Sequence, residues 1–237
     1  MDAVLFDLDD TLLNYSEGAD AVYARSLAEV AAPLSLDVPA LVAELDAVRQ
    51  WFWGDPIRHR RERTDMPGAW RKIYVEALCR QRVPAARAEA LGAEMARRFT
   101  EARWEVVRPL PGAFNLLEAL AARGVPLGMI TNGDAAQQRE KLRRFDLERH
   151  FRVIVIEGEF GRGKPDREVF AHALEVLGVE ARQTWMVGDN LEFDIGGAQA
   201  LGARGVWIDR HGKGPPAGAA VRPDRVVSSV AELDDWH

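Results

Sequence analysis

The hydrophobic positions along this chain of 237 residues change period as the sequence proceeds. Residues 3–6 form an unbroken apolar run, Ala3-Val4-Leu5-Phe6. It is too short for a lone helix but suits a strand buried on both faces, as strands of parallel sheets are. Beyond Leu13 apolar residues recur at three- and four-residue spacing, which predicts four helices over 17–31, 39–52, 69–82 and 85–103. Pro33, Gly54-Asp55-Pro56, Met66-Pro67-Gly68 and Val83-Pro84 separate them. From Ala113 onward helix and strand patterns alternate: helices over 113–123, 135–150, 166–177 and 194–201, strands over 126–130, 153–156, 184–187 and 205–208. Gly124, Gly178 and Gly202 stand where three of these helices end. The tail to His237 predicts a loop, a short edge strand over 225–227 and a last helical turn. Alternation of this kind implies an α/β fold, a Rossmann-like doubly wound parallel sheet, with an all-helical domain inserted after the first strand. The expected division is a discontinuous core, 1–14 and 106–237, and a helical insert over 15–105, with the chain re-entering the core through Pro109-Leu110-Pro111-Gly112 near Val106.

Ligands of open α/β sheets bind outside the carboxyl ends of the strands, so the polar residues at those ends are the candidates for chemistry. Asp7 and Asp9 follow the first strand, and if Asp7 ends it the two side chains leave on the same side. Thr131-Asn132-Gly133 follows the second, and Gly163-Lys164-Pro165 lies in the glycine-rich loop after the third. Asp189 and Asp194 come after Met186-Val187-Gly188. Each has a local explanation. Asp7-Leu8-Asp9-Asp10-Thr11 can be a turn or a helix cap, Thr131 a strand-end turn residue, Gly163-Lys164-Pro165 a surface turn, and Asp189 to Asp194 a capped helix start. Local explanations do not account for the order, with each group after a strand. Lys164 also stands out because Lys72, Lys141, Lys164 and Lys213 are the only lysines.

Composition narrows the partners. The formal net charge is −6, and since fourteen basic and fourteen acidic residues fall within 15–105, the whole acidic excess belongs to the core. An acidic core favours a cation and argues against nucleic acid. Cys79 is the sole cysteine, so no internal disulfide can form, as expected in a reducing cytosol. No basic, apolar leader is read at the amino terminus, and no apolar run approaches the roughly 20 residues of a membrane helix. The expectation is a cytoplasmic protein without a membrane partner.

The ordered set Asp7-Leu8-Asp9-Asp10-Thr11, Ile130-Thr131-Asn132-Gly133, Lys164-Pro165 and Gly188-Asp189-Asn190-Leu191-Glu192-Phe193-Asp194 resembles the haloacid dehalogenase-like hydrolases over the whole chain. Thr131-Asn132-Gly133-Asp134, Gln138-Arg139-Glu140-Lys141 and the run over 187–194 are most similar to N-acylneuraminate-9-phosphatase and its nucleotidase-like relatives. The resemblance implies that the helical insert is a mobile cap and that the reaction is hydrolysis of a small-molecule phosphate monoester: a sugar phosphate, an acylneuraminate phosphate or a nucleotide. It implies that Asp7 takes the phosphoryl group as an aspartyl phosphate while Asp9 protonates the leaving alcohol and then deprotonates water. Mg2+ would be held by Asp7, the backbone carbonyl of Asp9 and Asp189. Lys164 would hold the nucleophile and the phosphoryl group, and Asp194 would orient Lys164 or a metal-bound water. Thr131 and the amides of Asn132 and Gly133 would bind phosphoryl oxygens. Dehalogenases of the family, whose halide leaves without a proton, generally carry a non-acidic residue at the position of Asp9. A phosphomutase would share every core residue, and a catalytically silent phospholigand-binding protein is the alternative from another class. Monomer and homodimer both stay open.

Trp51, Phe52, Trp53, Arg58, His59, Arg60, Arg61 and Arg63 crowd the end of the second insert helix. They can form a lid surface that holds an anionic substrate. The plainer expectation is a solvated arginine face, tryptophans buried between helices, and His59 in an exposed loop.

Overall fold

The computed structural model describes residues 2–34 and 36–233. The last residues of the expected final helical turn, 234–237, lie outside the described residues. The chain divides into two compact units, Met1–Tyr15 with Arg108–His237, and Ser16–Val107. In chain order, β1 (Ala3–Phe6) and β2 (Leu13–Asn14) precede five helices: α1 (Ala19–Ala31), α2 (Val38–Trp53), α3 (Pro56–Glu62), α4 (Met66–Arg80) and α5 (Ala85–Ala102). Then come β3 (Arg108–Pro109), α6 (Ala113–Ala122), β4 (Leu127–Thr131), α7 (Ala135–Arg144), β5 (Val153–Ile156), α8 (Glu157–Phe160) and α9 (Arg167–Leu177). The chain closes with β6 (Thr184–Gly188), α10 (Gly197–Gln199), β7 (Arg204–Ile208) and β8 (Arg225–Val227).

Six strands form one sheet in the order β5-β4-β1-β6-β7-β8, every neighbouring pair parallel. β1 lies inside it, with Val4 opposite Leu127 of β4 on one side and Trp185 of β6 on the other. All four residues of β1 are buried, which is why the run has no polar position. From β1 the chain builds outward through β4 and β5, then returns to the other side of β1 for β6, β7 and β8. The ends of β1, β4 and β6 therefore share the point where the strand order reverses, the usual ligand crevice of such sheets. Leu5, Ile130, Val155, Val169, Phe170, Ala173 and Met186 pack in the layer between one sheet face and α9.

The helical unit has its own core, including Leu27, Leu41, Leu45, Val48, Ile73, Leu78, Met95 and Phe99. Among the described residues it holds five α-helices rather than four. The stretch expected as a loop after Trp53 contains α3, and α4 begins at Met66 rather than at residue 69. The residues read as breaks are helix starts: Asp55 Oδ1 accepts from the Arg58 amide (2.7 Å) with Pro56 in the first turn, and Asp65 Oδ1 accepts from the Gly68 amide (3.0 Å) with Pro67 likewise. Capping aspartate followed by proline is a start signal, because proline lacks a donor that the first turn would leave unpaired.

Two further expectations change in the first unit. The helix expected over 135–150 ends at Arg144, where Asp146 turns left-handed (φ 50°), and a separate 3-10 turn covers Glu148–His150. The helix expected over 194–201 starts earlier, as a wide π-type turn over Leu191–Gly196 followed by α10. Asn190 sets that start, its Oδ1 accepting from the amides of Glu192 (3.1 Å) and Phe193 (2.9 Å). The hairpin of β2 and β3 was not expected; two residues a side are too few to leave a pattern.

Candidate active site

Asp7 follows β1 directly, and its amide still donates to the Val187 carbonyl of β6 (2.9 Å), so the backbone beneath the carboxylate belongs to the sheet. The carboxylate meets Lys164: Nζ lies 2.5 Å from Asp7 Oδ1 and 2.7 Å from Asp194 Oδ1. Asp7, Lys164 and Asp194 are buried. Asp194 Oδ2 accepts from the Asn190 amide (2.9 Å). Two glycines make room for this packing. A Cβ on Gly188 would fall 2.3 Å from Asp194 Oδ2, and one on Gly163 would fall 2.5 Å from the Glu157 carboxyl carbon and 2.6 Å from Asn132 Oδ1.

Asp7, Asp189 and Asp194 bring carboxylate oxygens within 4.8 Å of one another. Burial, the Asp194 charge and the Asp9 charge raise Asp7 to about 7, against the pull of Lys164. Burial together with Asp7, Asp194 and Asp10 raises Asp189 to about 8. Burial opposes the charge on Lys164, but Asp194 and Asp7 overcome it and hold the ammonium above its usual range. One ammonium among three carboxylates leaves an excess of negative charge, which raised carboxyl groups register as repulsion. Hard oxygen donors around that excess fit a magnesium ion.

Asp9 is positioned differently. Its carboxylate is not within the three-carboxylate group but receives Lys141 Nζ at 2.8 Å on Oδ1 and 2.7 Å on Oδ2, with Gln138 Nε2 at 3.0 Å on Oδ2. Thr131 ends β4 with its hydroxyl buried, and Gln138 Nε2 donates to Thr131 Oγ1 (2.6 Å). The Thr131 hydroxyl itself donates a long bond to the Asn132 carbonyl (3.5 Å). Asn132 turns its side chain to the backbone of Lys164: Nδ2 donates to the Lys164 carbonyl (2.9 Å) and Oδ1 accepts from the Lys164 amide (2.7 Å). The Gly133 amide donates to Glu157 Oε2 (3.0 Å). The amide expected to meet a phosphoryl oxygen is thus bonded to Glu157 in this structure.

The structure thus brings Asp7, Lys164, Asp189 and Asp194 into one cluster, joins Asp9 to Thr131 through α7, and places Asn132 on the lysine loop. Reading by strand ends missed Gln138, Lys141, Glu157 and Trp207, whose Nε1 donates to the Asp189 carbonyl (2.8 Å). Gln138 and Lys141 had a signal in the motif Gln138-Arg139-Glu140-Lys141, and Lys141 a second in the scarcity of lysine.

In the helical unit, Arg58 lies over the Trp51 ring (3.9 Å to the centroid) while its Nε donates to the Phe52 carbonyl (2.7 Å). Trp51 is 50% exposed rather than buried between helices; the guanidinium covers one ring face, which makes exposure of the rest tolerable. Phe52 is buried and Trp53 partly so. Arg60 and Arg61 are exposed as expected, but Arg63 is buried. His59 sits on α3, half-buried with its ring edge-on to Trp53 (5.6 Å), rather than in an exposed loop. A capped helix closes the apparent loop and turns these side chains inward.

Comparison with known proteins decides the family. The model of the haloacid dehalogenase-like hydrolases matches residues 1–202. This chain belongs to that family. The hydrolase is similar to a phosphoserine phosphatase of Thermus thermophilus, 34% identical over 260 residues with 98% of each chain covered. Over 110 residues it is 41% identical to the N-acylneuraminate-9-phosphatase of Rattus norvegicus, 46% of this chain and 44% of that one. Its fold matches the crystal structure of a 2-haloacid dehalogenase from Pseudomonas syringae with a TM-score of 0.69 and 28% identity, covering 99% and 97% of the two chains.

Proposed function

We propose that this hydrolase is a magnesium-dependent phosphatase of small-molecule phosphate monoesters that works through an aspartyl phosphate on Asp7. The observation that carries the reading is the pairing of two differently supported carboxylates: Asp7 on Lys164 at 2.5 Å, and Asp9 on Lys141 at 2.7 and 2.8 Å. Asp7 Oδ attacks phosphorus, since an ionised carboxylate is a nucleophile that needs no activating base. Lys164 holds that carboxylate and the incoming phosphoryl oxygens in place. Thr131 turns its hydroxyl proton from the Asn132 carbonyl, a long 3.5 Å bond, to one of those oxygens. Asp9 gives a proton to the departing alkoxide and later takes one from the water that hydrolyses the aspartyl phosphate.

General acid catalysis supplies about 10² to 10⁴ in rate, while phosphate monoester hydrolysis can need ~10²¹. Most of the acceleration must come from placement and charge. A magnesium ion held by Asp7, Asp189 and the Asp9 carbonyl would supply positive charge to the phosphoryl oxygens. Asp194 keeps Lys164 in line between two carboxylates.

An acidic Asp9 favours phosphoryl chemistry over dehalogenation, because a halide departs without a proton and an alkoxide does not. The likeness over 110 residues to an acylneuraminate phosphatase, and of nearly the whole chain to a phosphoserine phosphatase, supports an anionic metabolite phosphate as substrate. The test is phosphate release from 4-nitrophenyl phosphate with magnesium and with chelator, for wild type and Asp7→Asn. Release that needs both magnesium and Asp7 is expected; release unchanged in Asp7→Asn overturns the reading. A panel of phosphoserine, sugar phosphates, acylneuraminate 9-phosphate and nucleotides then ranks the substrates.

A further inference from the structure

Lys141 is buried beside Asp9, and no step of the reaction above gives it a role. Its surroundings are all committed. Nζ lies 2.8 and 2.7 Å from the two Asp9 oxygens, 2.7 Å from Gln138 Oε1 and 3.7 Å from the centre of the Tyr15 ring. Gln138, one turn earlier on α7, spends its amide nitrogen on Asp9 Oδ2 (3.0 Å) and Thr131 Oγ1 (2.6 Å). The pair is spaced i and i+3, so both side chains leave the same helix face. A buried lysine carries a desolvation cost that only well-made pairing offsets. A fold that needed only a filled position here would have been served by an apolar residue.

We infer that Lys141, steadied by Gln138, is the positioning residue for the Asp9 carboxylate in leaving-group protonation. The inference rests on the phosphatase reading above. An ionised carboxylate offers about four acceptor positions; Lys141 and Gln138 occupy three on Asp9. One direction stays for the leaving oxygen, so the rotamer that delivers the proton is selected before substrate binds. Gln138 ties the same rotamer to the Thr131 hydroxyl, fixing the acid relative to a phosphoryl-binding group. Lys141 touches no reacting atom and acts through Asp9.

The experiment compares phenyl phosphate with 4-nitrophenyl phosphate on single preparations of wild type, Lys141→Met, Lys141→Arg, Asp9→Asn and Asp7→Asn. The rings are alike, but nitrophenolate departs without a proton and phenolate is far more basic. The ratio of the two kcat/KM values is the readout, and the folded fraction divides out of it. An acid misplaced by about 1 Å can cost 10²-fold. Lys141→Met is expected to lower kcat/KM for phenyl phosphate at least tenfold more than for 4-nitrophenyl phosphate. Asp9→Asn should show the same selectivity, and Lys141→Arg should recover part of it. Equal losses on the two esters in Lys141→Met would make Lys141 structural only and overturn the inference, as would no loss on either. Failure of the phosphatase reading looks different: wild type and Asp7→Asn are then indistinguishable on both esters, whatever Lys141 does.

Discussion

Replacing Asp189 with asparagine removes one negative charge from the cluster that Asp7, Asp189 and Asp194 form. In the metal-free protein the native Asp189 carboxyl is raised from 3.8 to about 8 by burial and by its acidic neighbours. Below the unfolded value both states hold the proton and the group has no effect on stability. Between about 4 and 8 the unfolded chain has released it while the native one retains it, so stability falls as pH rises through this window and the loss is complete above about 8. Each unit is worth about 1.4 kcal/mol, which sets a ceiling of ~4 kcal/mol between pH 5 and pH 8. Water reaches this half-buried carboxylate, bringing the effective dielectric toward about 20 and the expected fall to about 2 kcal/mol. Asp189→Asn carries a neutral amide at every pH and escapes it. The assay is urea unfolding of both proteins with chelator at pH 5 and at pH 8, repeated with excess magnesium. The Asp189→Asn variant should gain on wild type by about 2 kcal/mol between the two pH values. Magnesium at a hundredfold excess over its Kd should stabilise wild type by about 2.7 kcal/mol and leave the variant nearly unmoved. A stability difference independent of pH would show that Asp189 is not raised in the native protein, and equal stabilisation of both proteins by magnesium would show that Asp189 does not hold the ion.

Gly188→Ala places a Cβ 2.3 Å from Asp194 Oδ2 and so moves Asp194 off Lys164; a fall in kcat of about 10²-fold in a steady-state assay is expected, and an unimpaired variant would remove Asp194 from the account. Tyr74→Phe deletes a buried hydroxyl with no hydrogen-bond partner among the described residues and should raise stability by about 1 kcal/mol in urea unfolding; destabilisation would reveal a partner for it. Gly92→Ala drives a methyl to within 2.6 Å of Val75 Cγ2 and 3.1 Å of its amide nitrogen where α4 and α5 pack; a loss of ~1–3 kcal/mol is expected in the same assay, and no loss would show that the helices separate freely.

The central strands were legible because a sheet covered on both faces demands uninterrupted apolar runs, as at Ala3 to Phe6, and the acid cluster because each member follows a strand that ends at the same crevice. What the sequence hid was side-chain partnership across distance. Asp9 and Lys141 are 132 residues apart, and no period links a turn residue to one helix face. The bond from the Gly133 amide to Glu157, 24 residues on, likewise has no pattern in the sequence. Helix α3 was concealed by the same Asp55-Pro56 pair that caps it, since those residues also make turns. Trp51 looked like core until Arg58 was seen over its ring.

The most direct test is whether Asp7 carries phosphate during turnover. Wild-type protein mixed with 4-nitrophenyl phosphate and magnesium, quenched in acid within the first turnover and digested, is examined by mass spectrometry. A mass gain of one phosphoryl group is expected on Asp7 and is absent from Asp7→Asn. Turnover with the phosphoryl group found on another residue, or on none, would contradict that expectation.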